Sequence, residues 1–358
     1  MSTAEALVFA GGRGKTILLY GLALSMTKRG LRVAYFKPVG IGRRRLPSGS
    51  YIDTDAIAVT EALGLRDHLS LVNPIAITGG YLELRERSGE IAETIESSFR
   101  MLSAGRDAVL VEGYSAPESL AVVGLSSADI AVMLDARLVL VVDCRESRVI
   151  DGVVDKAVLY YEWASSRGAR VAGVIFNAVP LTHMDRLKEG AAATLESKEV
   201  EVLGYIPYKP DLLAPRVREV VEILEAEVLE EGEGLYGVIE SIVVAAASPE
   251  ALARELRRSP APVVVVSGDR SDLVVSAIES KPALVVVTGG FYPPPSVLSK
   301  AREIGVPLAL VHSDTYSVIE KIGEAGSLVT TSSLRARSDV IVDIVESYVK
   351  LEKLAGGS

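Results

Sequence analysis

The sequence predicts an α/β protein, a doubly wound parallel sheet followed by a second, smaller α/β domain. Three observations carry this. Apolar, β-rich runs alternate with helical runs along most of the chain, the pattern of parallel βαβ units. The run Leu138-Val139-Leu140-Val141-Val142 is continuously apolar rather than alternating, as in a strand covered by helices on both faces. The length of 358 residues exceeds one ordinary core and points to two domains, with three as the alternative.

The first strand, Ala6 to Phe9, runs into Gly11-Gly12-Arg13-Gly14-Lys15-Thr16, and a helical pattern follows from Ile17 to Lys28. Glycines let the backbone take positive φ and approach a ligand, so N–H groups at a helix start converge on phosphate oxygens. Lys15 then stands beside the β and γ phosphates, and the Thr16 hydroxyl is a Mg²⁺ ligand. The full pattern G-x-x-x-x-G-K-S/T has glycine where Phe9 stands, so the loop is clipped. A glycine turn that holds nothing is the alternative.

Further strands are expected at Arg32 to Phe36, Ala108 to Val111, Leu138 to Val142, Val171 to Phe176 and Val202 to Tyr205. Open α/β sheets bind ligands at the carboxyl ends of their strands, and several chemistry-bearing residues fall there. Lys37 follows the second strand and is suited to an acidic substrate. Asp53-Thr54-Asp55 opens a helix over Ala56 to Leu63, its carboxylates either capping the helix or binding Mg²⁺. Glu112 ends the next strand. Asn177 ends a later one, where its amide matches the edge of an adenine. Gly204 to Pro210 is a proline-stiffened loop suited to one wall of a base pocket, the alternative being a plain turn.

Composition narrows the classes. The net charge of -9 argues against sequence-independent nucleic-acid binding, with Arg43-Arg44-Arg45 as the exception, either a solvated loop or an anion subsite. Cys144 is the only cysteine, so no internal disulfide forms and a reducing cytoplasm is expected. No apolar stretch of membrane-spanning length and no signal-like N-terminus is present. His68, His183 and His312 lack metal-binding spacing. Glutamine is absent and Asn73 and Asn177 are the only asparagines, a depletion that fits a thermophile source.

Taken in order, the first 225 or so residues resemble dethiobiotin synthetase and its relatives, including the amidating synthetases of cobalamin biosynthesis. The matching positions are Gly14-Lys15-Thr16, Lys37-Pro38-Val39, Asp55, Glu112-Gly113, and Asn177 with Pro207. The resemblance implies a P-loop site for ATP or another nucleoside triphosphate, formed by Gly11, Gly12, Arg13, Gly14, Lys15 and Thr16, with Asn177 and Pro207 on the adenine side. It implies Mg²⁺ at Thr16, Asp55 and Glu112, and Lys15 and Lys37 as catalytic lysines. It departs at Tyr114-Ser115-Ala116-Pro117, where the family has small residues and glycines that admit substrate.

Residues 225 to 234 are acidic and glycine-terminated, and we place a linker at 226–234, dividing domain 1–225 from domain 235–358. The second part has expected strands at Ile242 to Ala245, Val263 to Val266, Leu284 to Val287 and Leu308 to Val311, a helix over Pro249 to Arg257, and a closing helix over Val340 to Leu354. Residues 263 to 322 resemble a DRTGG domain, the module that accompanies dethiobiotin-synthetase-like domains ahead of some phosphate acetyltransferases. Asp269, Arg270, Thr288, Gly289, Gly290, Asp314 and Thr315 fall at the ends of successive parallel strands and make a candidate crevice for an unknown small molecule. Alternatively, Asp269 and Arg270 pair with each other or across a dimer contact. An acetyltransferase domain after Leu354, and with it acetyl transfer to phosphate, is not expected of this chain alone.

Three functions follow as expectations. One is a Mg²⁺-nucleotide-binding regulator carrying a second ligand site. Another is an ATP-dependent C–N ligase or synthetase in which Lys37 holds a carboxylate that attacks the γ-phosphate. The third is a dimeric scaffold that binds no nucleotide. A homodimer is expected because relatives of both domains commonly pair.

Overall fold

The computed structural model describes residues 4–145, 150–209, 212, 214–232, 234–235, 237–325 and 329–354. They form two compact units: residues 1–209 together with 329–358, and residues 210–328.

The first unit holds β1 (Glu5–Gly11), β2 (Val33–Phe36), β3 (Val39–Ile41), β4 (Arg44–Arg45), β5 (Tyr51–Ile52), β6 (Ile75–Ile77), β7 (Ala108–Glu112), β8 (Arg137–Asp143), β9 (Arg170–Val179) and β10 (Val202–Pro207). Six of these strands make a wholly parallel sheet in the order β10-β9-β8-β1-β7-β2. Leu7 to Ala10 and Leu138 to Val142 are fully buried, as continuous apolarity requires of strands covered on both faces. Winding reverses on either side of β1, so the loops after β1 and β7 open onto a switch point, where such sheets hold ligands. The short β3–β6 pair and the β4–β5 hairpin stand apart from this sheet.

The second unit contains β11 (Glu227–Glu230), β12 (Ser241–Ala245), β13 (Pro262–Ser267), β14 (Leu284–Thr288) and β15 (Leu308–Leu310), ordered β11-β15-β14-β13-β12. Its sheet packs on both faces. Val264, Val266, Val285, Val287, Leu308 and Leu310 join one core cluster, while Val263, Val265, Leu284, Val286, Ala309 and Val311 join another.

The structure moves the expected boundaries. The segment 226–234 expected to be a linker contains edge strand β11, antiparallel to β15, and the helix Val217–Leu224 before it also belongs to the second unit. The acidic composition misled because Glu230 is mostly buried and paired with Arg302 (2.6 Å) instead of solvated. The closing helix ends at Tyr348, short of Leu354, and belongs to the first unit. Its buried residues Ile341 and Val345 lie over Gly21 of the helix Lys15–Lys28, where an added Cβ would come within 2.7 and 2.8 Å of their methyls. Tyr20 and Ser338 share a hydrogen bond (2.7 Å) in the same contact. An apolar helix face must be covered, and a glycine here is what lets the two helices close.

Candidate functional site

The loop between β1 and the helix Lys15–Lys28 is built by contacts that exclude side chains. Gly11 sits at φ 128°, and a Cβ there would meet the Val141 carbonyl oxygen at 1.9 Å; at Gly12 it would meet Asp143 Cβ at 2.4 Å. Gly14 caps the helix at φ 88° with no side-chain cap, so the first-turn N–H groups keep no partner from within the helix. Gly11 N–H donates to Ser115 O (2.9 Å) and Gly12 N–H to Val141 O (2.8 Å), which pins the turn from the loop after β7 and from strand β8. The segment Tyr114 to Pro117 thus touches the loop through the Ser115 backbone carbonyl. Phe9 is buried in β1, and the shorter approach is a strand that runs straight to Gly11.

Lys15 folds onto this loop, donating to Gly11 O (2.7 Å) and Gly12 O (3.1 Å). Burial lowers its pKa to about 8, with Glu112 partly offsetting. Thr16 follows, and its hydroxyl donates to Glu112 Oε1 (3.0 Å) and lies 3.4 Å from Asp55 Oδ2. Lys37, also buried, reaches Asp53 Oδ2 (3.1 Å), Asp55 Oδ2 (3.2 Å) and Glu112 Oε1 (3.1 Å). Burial alone would discharge Lys37, but Glu112, Asp55 and Asp53 together hold it above the ordinary lysine range.

The two aspartates divide their work. Asp53 is the helix cap: Oδ1 accepts from Asp55 N–H (2.9 Å) and Oδ2 from Ile41 N–H (2.7 Å). Asp55 lends Oδ2 to Lys37 and Thr16, while its Oδ1 is buried with no hydrogen-bond partner. Burial raises the Asp55 carboxyl above the ordinary range; Lys37 opposes this, and Glu112 and Asp53 add to it. Three carboxylates thus face the Lys37 ammonium, and the partnerless oxygen belongs to the carboxylate beside Thr16.

Asn177 comes under the loop from β9, its Nδ2 donating to Arg13 O (3.0 Å). Pro207 ends the neighbouring strand β10, opposite Val179. The structure thus gathers Lys15, Thr16, Lys37, Asp55 and Glu112 at the switch point. It places Asn177 against the phosphate loop and Pro207 at the end of strand β10.

Two buried residues of this site were not assigned a role from sequence. Tyr35 donates its hydroxyl to Glu112 Oε2 (2.7 Å), fixing that carboxylate from β2. Asn73 donates to Lys37 O (2.8 Å) and Ile75 O (3.1 Å) and accepts from Asp53 N–H (2.9 Å), tying the lysine segment to the capping aspartate. Its rarity in this composition was the available signal.

In the second unit, Gly289 (φ 82°) and Gly290 (φ 71°) turn the chain after β14, and Thr288 shares a hydrogen bond with Thr315 (2.9 Å). Arg270 pairs with Asp272 (2.9 Å), not Asp269. Asp314 caps the helix Thr315–Ala325 by accepting from Ser317 N–H (3.0 Å) and Oγ (2.7 Å). Among the described residues no group of three His, Cys, Asp or Glu side chains is arranged to hold a metal ion. No described helix is long and apolar enough to cross a membrane.

A family model described as AAA domain matches residues 10–216, more than half of the chain, and one described as DRTGG domain matches residues 219–325. The chain belongs to this AAA domain family. Its architecture is a dethiobiotin synthetase-like P-loop domain followed by a DRTGG domain. Among curated proteins it is similar to a phosphate acetyltransferase of Nitrosomonas europaea, 25% identical over 355 residues, which cover 96% of this chain and 50% of that protein. A phosphate acetyltransferase of Pseudomonas putida is 26% identical over 355 residues, covering 94% and 49%. An ATP-dependent dethiobiotin synthetase of Xylella fastidiosa is 27% identical over 208 residues, covering 57% and 89%. The chain spans about half the length of the phosphate acetyltransferases it matches.

Proposed function

We propose that the first unit binds a Mg²⁺-nucleoside triphosphate, ATP or a close relative, and that the DRTGG unit binds a separate small molecule, the two acting as a metabolic sensor or regulator. The observation that carries the first half is the buried, partnerless Asp55 Oδ1 beside Thr16 and Glu112. A buried carboxylate oxygen without a donor is costly unless a cation completes it. Mg²⁺ takes one or two carboxylates plus phosphate oxygens rather than an all-protein cage, which this donor set fits. When bound, Mg²⁺ would offset charge on the phosphate oxygens.

The chain's own groups supply the rest. Lys15 leaves the Gly11 and Gly12 carbonyls for phosphate, with the first-turn N–H groups beside it. Asn177 holds Arg13 O and so keeps the loop open. The regulatory half is supported by the DRTGG match and by relatives of about twice this length named phosphate acetyltransferase. Asp269, Arg270, Thr288, Gly289, Gly290, Asp314 and Thr315 frame the proposed second crevice. We extend the proposal to a cytoplasmic homodimer, which light scattering tests.

A second reading, an ATP-dependent synthetase, is favoured by Lys37, a buried lysine kept charged next to the proposed metal ligands. It would present a substrate carboxylate to the nucleotide. Calorimetry with MgATP tests the shared step. Binding that Lys15→Ala weakens at least tenfold supports the proposal, and equal affinity in that variant rejects it. Phosphate release above the Lys15→Ala background then separates synthetase from sensor.

A further inference from the structure

Three consecutive arginines, Arg43 to Arg45, lead into and form β4 of the hairpin β4–β5, which takes no part in the proposed nucleotide site. Its root is the site itself. Ile41 N–H binds Asp53 Oδ2 (2.7 Å), Arg43 N–H binds Ile52 O (3.2 Å), and Arg44 faces Ile52, the residue immediately before Asp53. Ladder geometry therefore keeps the Arg44 Cα within roughly 10 Å of the Asp53 Cα, a span an arginine side chain covers.

The hairpin is held rigid at both ends. Gly42 N–H donates to Ile77 O (2.7 Å), and a Cβ on Gly42 would meet Thr78 and Tyr51 at 2.7 and 3.0 Å. At the tip, Leu46 N–H donates to Ser50 O (2.8 Å) and Arg45 Nε to Gly49 O (3.3 Å). Arg44, Arg45, Leu46, Pro47 and Gly49 line an open cavity of about 530 Å³.

Arg32, Arg106, Arg137, Arg167 and Arg170 of the same unit each pair with a carboxylate, whereas among the described residues Arg44 and Arg45, like Arg29, Arg66, Arg85 and Arg100, pair with none. Repulsion between adjacent guanidinium groups is thus left without a protein counter-charge in a chain of net charge -9. The Lys37 cluster carries more carboxylates than ammonium groups, so it offers an approaching anion little net attraction, and the arginines supply it.

We infer that the Arg43–Ile52 hairpin is an anion-holding wall beside Lys37, and that the ligand entering there is a small acid with at least two negative groups. One group meets Lys37 and the other meets Arg44 and Arg45, whose fork geometry suits carboxylate or phosphate. This rests on the proposal that the Lys37 side of the nucleotide site takes a ligand.

Calorimetry on the full chain, with excess Mg²⁺ and saturating ADP at matched ionic strength, tests it with succinate, 3-phosphoglycerate and acetate as probes. At least one of the two dianionic-type acids is expected to bind tenfold or more tightly than acetate. Arg44→Ala/Arg45→Ala should lose at least tenfold of that affinity while its MgADP affinity stays unchanged, and Arg44→Lys/Arg45→Lys should recover part. Succinate and 3-phosphoglycerate distinguish a second carboxylate from a phosphate. Failure of both acids to bind better than acetate, or equal binding by the double alanine variant, overturns the inference. The MgADP titration, run first and alone, separately reports failure of the nucleotide proposal.

Discussion

Asp55→Asn separates the proposed metal role of this carboxylate from a structural one. In the ligand-free protein the substitution removes one of three carboxylates around Lys37, leaving Asp53 and Glu112 each at 3.1 Å. The lost attraction at 3.2 Å is about 5 kcal/mol gross at an effective dielectric of 20, but a buried charge pair returns little of that net of desolvation. The Oδ1 atom makes no hydrogen bond to lose, and an unsatisfied buried group costs about 1–3 kcal/mol. These terms nearly cancel, so the ligand-free variant should match wild type within about 1 kcal/mol.

The ligand response is where the two must differ. At MgATP a hundredfold above its dissociation constant, wild type gains about 2.7 kcal/mol. Loss of even an outer partner of a metal ligand weakens a site by roughly 10- to 100-fold, and at 100-fold the same MgATP concentration yields about 0.4 kcal/mol. A melting shift of roughly 5 to 10 °C should therefore shrink to roughly 1 to 2 °C for a unit of this size. Differential scanning fluorimetry with and without EDTA reads this directly. A variant that keeps the full Mg²⁺-dependent shift would refute the argument, as would one that loses several kcal/mol without ligand.

Other expectations follow from the same contacts. Lys15, lowered by burial to about 8, should be pulled back up by polyphosphate. MgATP binding then takes up protons above pH 8, and affinity falls by up to about tenfold per unit as pH rises through that value. Titrations at pH 9 in two buffers of different ionisation enthalpy detect the uptake; none at pH 9 rejects it. Between about 8 and 10.5 the unfolded chain binds more protons than the folded one, so the ligand-free protein should gain stability over the same range. Asn73→Ala strands the Asp53 N–H and the Lys37 carbonyl and should cost about 3 kcal/mol or more in urea unfolding; a change under 1 kcal/mol would mean water replaces the amide. Gly21→Leu drives a side chain into Ile341 and Val345 and should destabilise by about 2–3 kcal/mol, whereas the roughly 1 kcal/mol gained from helix propensity alone would show that the closing helix does not seat there.

Much of the site was legible because its residues lie at strand ends. Continuous apolar runs mark β1, β7 and β8, and in a parallel sheet the residues just past such runs converge on one edge. Lys37 and Glu112 were singled out in this way, Lys15 and Thr16 from the glycine turn after β1, and Asp55 from its helix-start pattern. The family resemblance added their order and is matched by the AAA and DRTGG domain assignments.

Tertiary structure decided what depends on partners distant in sequence. Which of Asp53 and Asp55 caps and which faces Thr16 was settled by Ile41, Asn73 and Lys37, none visible from a helix-start pattern. Asn177 meets Arg13 across 164 positions. The segment 226–234 is strand-bearing because Glu230 finds Arg302, and the closing helix joins the first unit because Gly21 leaves room for Ile341 and Val345. Local pattern sets which elements form, since backbone geometry and side-chain periodicity are local. Which surface each element buries depends on long-range complementarity of shape and charge, which the linear order does not contain.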